Sequence, residues 1–73
     1  MTRDEWLAAF AQRLGTEAPS AQEIEQLLEL AATAAHASER QAAPIACWLA
    51  ARSGRDLPEL LELARDVAPP RTD

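Results

Sequence analysis

The stretch Ala35-His36-Ala37-Ser38-Glu39-Arg40-Gln41-Ala42-Ala43-Pro44 decides how many helices this chain contains. Proline lacks an amide hydrogen and disfavours helical geometry at the residue before it, so it belongs in a helix's first turn. A break is therefore expected around residues 39–42, with a new helix over about 43–53. The rival reading fuses the segments on either side into one helix kinked at Pro44, giving three helices. Four is the preferred count.

Upstream of the break, Ser20 with Glu23 forms a capping-box pattern, in which hydroxyl and carboxylate satisfy each other's backbone amides. Ile24, Leu27, Leu28, Ala31 and Ala35 follow as one apolar stripe, which predicts a helix over 21–37. Thr2 with Glu5 repeats the pattern ahead of Trp6, Leu7, Phe10, Ala11 and Leu14, and Gly15 supplies a left-handed stop. That helix spans 3–14. Downstream, Ile45, Trp48 and Leu49 are expected to form the buried face of the third helix, with Gly54 as its stop. Asp56 caps a fourth helix over 57–68, with Pro58 in its first turn. Its inner face would carry Leu57, Leu60, Leu61, Ala64 and Ala68. Pro69-Pro70 ends it, and residues 69–73 read as a frayed tail beyond a single domain, 1–68.

Composition narrows the fold class to the same answer. The chain has 73 residues, 48% of them apolar, but 17 are alanine and ten are leucine. Tyrosine is absent and β-branched residues are scarce, which excludes a β-sandwich. So short a chain has a lean core and no room for a two-domain enzyme with a cofactor cleft. With short connections, the expectation is an all-α, compact four-helix bundle or orthogonal helical array. Trp6, Phe10 and Trp48 are expected to fill its widest gaps. Leu27-Leu28-Glu29-Leu30-Ala31 recurs as Leu60-Leu61-Glu62-Leu63-Ala64, but the flanking segments do not repeat in register, so a tandem repeat is not favoured.

Charge and cysteine usage exclude several functions. Seven basic against twelve acidic residues give a net charge of −5. The arginines are scattered, which disfavours nucleic acid and anionic membranes. A helix-turn-helix reading of residues 43–68 fails on sign, since Asp56, Glu59 and Glu62 would face phosphates. No apolar run is long enough to span a bilayer. Cys47 is the single cysteine, so no internal disulfide forms, which suits a reducing cytoplasm. It falls near a helix N-terminus, but between Ala46 and Trp48 it reads as a small buried thiol, not a nucleophile. With only Gly15 and Gly54, there is no phosphate-cradling glycine loop.

The candidate site is the cluster His36, Glu39 and Arg40. If helical geometry held through it, 36 would share a face with both 39 and 40. Two readings stand side by side: a ligand or partner site, where Arg40 grips an anion through its planar fork, and a structural cluster. In the structural reading, His36 and Arg40 favour the negative end of a helix dipole, Glu39 falls at the start of the third helix and interacts with its amides, and Arg40 bonds exposed carbonyls. As a metal site the cluster is too poor in ligands, and no cofactor is expected.

Glu5-Trp6-Leu7, Leu14-Gly15, Leu27-Leu28, Leu30-Ala31, Ala35-His36, Glu39-Arg40 and Ala42-Ala43-Pro44 together carry a resemblance over residues 4–54. The chain resembles an uncharacterised family of small helical domains from GC-rich actinobacteria. That family occurs alone or fused to the C-terminus of molybdopterin-guanine dinucleotide biosynthesis proteins of the nucleotidyltransferase type. Where such domains often carry glycine after the histidine and proline after the arginine, this chain has Ala37 and Gln41. The resemblance implies proximity to molybdenum-cofactor maturation, but no catalytic residue. The expected function is a non-catalytic accessory domain that binds a protein partner or a second copy of itself. The alternative is small-ligand or anion binding at His36, Glu39 and Arg40.

Overall fold

A computed structural model describes residues 1–67, and the expectations for Ala68 and for the tail 69–73 lie outside that range. Four helices follow in order: α1, Arg3–Leu14; α2, Ala21–Ala37; α3, Ala42–Ser53; and α4, Leu57–Val67. The fold is all-α, with no strand among the described residues. Helices two and three are separate, broken by Ser38–Gln41.

Local chemistry sets these boundaries. At the start of α1, the Glu5 amide donates to Thr2 Oγ1 at 3.1 Å and the Thr2 amide to Glu5 Oε1 at 2.8 Å. Ser20 and Glu23 repeat this exchange at α2. These contacts satisfy amides that no preceding helical turn can pair. Asp56 opens α4 by accepting from the Glu59 amide at 3.0 Å. Gly15 and Gly54 stop α1 and α3 with φ of 78° and 76°, a region where any Cβ would be strained.

Packing is organised around α2, which lies against both α3 and α4. The buried core joins Leu30 of α2, Ala50 of α3 and Leu61 of α4, with Cys47, Leu60 and Ala64 packed against it. An ion pair between Arg65 and Glu29 ties α4 to α2 at the surface. Backbone approaches to α1 are sparser. It lies beside the first half of α2, where Arg3, Asp4 and Leu7 share a groove with Ile24, Glu25 and Leu28.

The helices form where the sequence places them, but three of their faces point elsewhere. The expected inner face of α3 is its outer one: Ile45 is 60% exposed, Trp48 61% and Leu49 48%. Instead, Ala43, Ala46, Cys47 and Ala50 turn toward the core. Small side chains let α3 approach α2 closely, a packing gain that bulky residues on that face would forfeit. Trp6 and Phe10 likewise fill no interior gap; they are exposed and stack on each other with ring centroids 5.0 Å apart. On α2, Leu28 points outward and Leu30 is buried in its place, because α3 and α4 gather on the Leu30 side.

Candidate functional site

The His36, Glu39 and Arg40 cluster straddles the end of α2. His36 sits in the last helical turn, while Glu39 and Arg40 fall in the turn that follows. The helix stops at Ala37, so the shared helical face across 36, 39 and 40 does not extend through the cluster. All three residues are exposed. Among the described residues their side chains form no hydrogen bond or ion pair with one another or with a neighbour. Glu39 alone of the three lines a shallow groove, beside Ser38, Gln41, Ile45 and Leu49.

Other groups close the break. The Ser38 hydroxyl donates to the Ala34 carbonyl at 2.8 Å, and Ser38 leaves helical geometry with φ −144° and ψ −96°. The Ala42 and Ala43 amides then donate to the carbonyls of Glu39 and Arg40, at 2.9 and 3.2 Å. Among the described residues no side chain, that of Glu39 included, caps α3. Its chain reversal is wound by the backbone, and Pro44 occupies the first turn, where its missing amide hydrogen costs nothing. The carbonyl contact expected of Arg40 is therefore made by Ser38, whose short hydroxyl can fold back four residues without ordering a long side chain.

The residues that composition alone did not mark as functional are the exposed apolar ones. Trp48 stands on the outer face of α3, and the Arg52 guanidinium lies 4.5 Å from its ring centroid. Positions 48 and 52 are one helical turn apart, so the stacking is local to α3. Ile45 extends the same ridge by a turn. The signal for this surface was present in the alanines at 43, 46 and 50, which leave α3 two competing faces to bury.

A second surface is an apolar groove of about 500 Å³. Its floor is α2 through Leu30, Ala34 and Ala37, and its walls are α3 and α4 through Leu49, Leu63 and Val67. Cys47 does not line it; it packs, half-buried, against the Leu30–Ala50–Leu61 cluster, and burial pushes its thiol above the ordinary cysteine range. A thiol shifted in that direction holds less thiolate at neutral pH and is a poorer nucleophile. Among the described residues, no three His, Cys, Asp or Glu side chains group as a metal site. No described helix is long and apolar enough to cross a membrane.

These features define a small all-α domain whose distinguishing surfaces are apolar and outward-facing. The chain belongs to the domain-of-unknown-function family DUF6457, whose model matches residues 1–55. No curated protein and no solved structure matches it.

Proposed function

We propose that this chain is a single-domain, cytoplasmic, non-catalytic accessory module that binds a protein partner, in the setting of molybdopterin-guanine dinucleotide biosynthesis. The observation that carries the binding role is the exposed Ile45–Trp48 ridge with Arg52 held over the indole. Tryptophan and arginine dominate the energetics of protein interfaces, and a ring already held by its neighbour loses little freedom on docking. The setting is supported by the sequence resemblance alone. The test is titration of the purified chain against a nucleotidyltransferase-type protein of that pathway, by calorimetry. Saturable binding that Trp48→Ala weakens tenfold or more is the expected result. No binding would remove the setting, and equal binding by Trp48→Ala would remove the face.

A second reading, anion binding at His36, Glu39 and Arg40, keeps one supporting observation. Arg40 is exposed and has no carboxylate partner among the described residues. Titration with inorganic phosphate, followed by the His36 imidazole NMR shifts, tests it. Unmoved shifts, or shifts unchanged in Arg40→Ala, would refute it.

A further inference from the structure

The groove between α3 and α4 has the form of a seat for a fourth helix, and this chain's own α1 does not occupy it. Around the axis of α2, Ile24, Glu25 and Leu28 line the groove shared with α1, whereas Leu30, Ala34 and Ala37 floor the other groove. At 100° per residue these two sets point to opposite sides of α2. Among the described residues there is thus an apolar groove without a helix on one side, and a helix with an unused apolar stripe on the other. That stripe is Trp6, Phe10 and Leu14, spaced at i, i+4 and i+8, all three exposed.

We infer that the chain pairs with a second copy of itself, the Trp6–Phe10–Leu14 stripe of each α1 lying in the α3–α4 groove of the other. The inference goes beyond the protein-binding reading above: it names a second copy as partner and uses a different surface from the Trp48 ridge. Reciprocal insertion satisfies two-fold symmetry, with each copy giving a helix and receiving one. The alanines of the floor let the incoming backbone approach closely, and the two rings supply the bulk that small side chains leave unfilled.

Exposed area supports a partner of this size. The chain exposes 6080 Å², whereas a compact monomer of 7.9 kDa exposes about 4,400 Å² on the usual mass scaling. Subtracting the largest area that the six residues beyond Val67 could contribute by mass still leaves a surplus of about 700–1,000 Å². A standard interface takes about 800 Å² from each partner. Charge works against the pairing, since each copy carries −5. Added salt screens that repulsion, so the dimer should tighten as ionic strength rises, opposite to the behaviour expected of a basic partner.

Sedimentation equilibrium over a concentration series, at low and high salt, tests the pairing. Wild type should be a monomer–dimer equilibrium whose association strengthens with salt. Phe10→Glu on the inserted stripe and Leu63→Glu on the groove wall should each weaken association at least tenfold. Both positions are exposed in the monomer, so circular dichroism should show each variant folded. In a Trp48→Phe background Trp6 is the sole tryptophan, and its emission should shift to the blue with concentration and lose that shift in Leu63→Glu. A strictly monomeric wild type, or a dimer that survives both glutamate substitutions, would overturn the inference. Trp48→Ala should leave the dimer intact, so failure of self-pairing and failure of the accessory-domain reading are read from separate variants.

Discussion

Replacing Leu30 by alanine should damage this fold far more than removing its largest exposed side chain. Leu30 is 4% exposed and joins all three helices of the core, touching the groups contributed by Ala50 and Leu61. Buried Leu→Ala substitutions cost about 2–5 kcal/mol, depending on the cavity left behind. Here the site borders an open groove, so the vacated space is reached by water and does not remain a sealed void. That places the expected cost at about 2–3 kcal/mol, the lower part of the range. A chain of this length carries roughly 4–11 kcal/mol of total stability. For a domain of this size, each kcal/mol moves the midpoint by about 4–8 °C, so Leu30→Ala should melt about 10–20 °C lower. Trp48→Ala removes an exposed ring and one cation–π contact, worth about 0.5–1 kcal/mol at the surface. Its midpoint should fall by only a few degrees. Thermal and urea unfolding by far-UV circular dichroism, at one low concentration because association adds stability, measures both. Equal losses in the two variants would mean that α3 presents its tryptophan face to α2, and the packing described here would be refuted.

Capping offers a second contrast. Ser20→Ala should lower global stability by about 1 kcal/mol because α2 is the shared packing surface, whereas Thr2→Ala should speed amide exchange within α1 and leave the global midpoint almost unmoved. Glu5 provides the pH counterpart: bonds from the Thr2 amide and hydroxyl hold its carboxyl below the usual glutamate range. A depressed folded value means the stabilisation is complete above the ordinary glutamate range and is lost as pH falls through the lower folded value. Helix content of α1 should show that acid step by NMR, and Glu5→Gln should abolish it; an unchanged step in the variant would assign it to another carboxylate. Cys47 should be alkylated several-fold more slowly in the folded chain than in urea at the same pH, because burial raises its thiol. Equal rates would show that the thiol is open to solvent.

Helix boundaries were legible in the sequence because each is decided within a few residues. Thr2–Glu5, Ser20–Glu23, Gly15, Gly54, Asp56 and Pro44 act through bonds and torsions that need no distant partner. Orientation was not legible in the same way. On α3, Ile45-Trp48-Leu49 and Ala43-Ala46-Ala50 both satisfy helical spacing, and the choice between them depends on how closely α2 can approach. The polar cluster showed the same limit. Its residue types were visible, but the direction of Glu39 and Arg40 follows from where α2 stops, and that is set at Ser38, whose backbone leaves helical geometry. The unfilled groove and the outward stripe of α1 left no local trace, since they are properties of the arrangement and not of any one segment.

The central placement of α2 also orders events during synthesis. Leu30 is made before Ala50, and the third member of its cluster, Leu61, follows only with α4. Until that helix leaves the ribosome, the nascent chain can wind its capped helices but cannot shield its leucines, and it is then a natural client for chaperones.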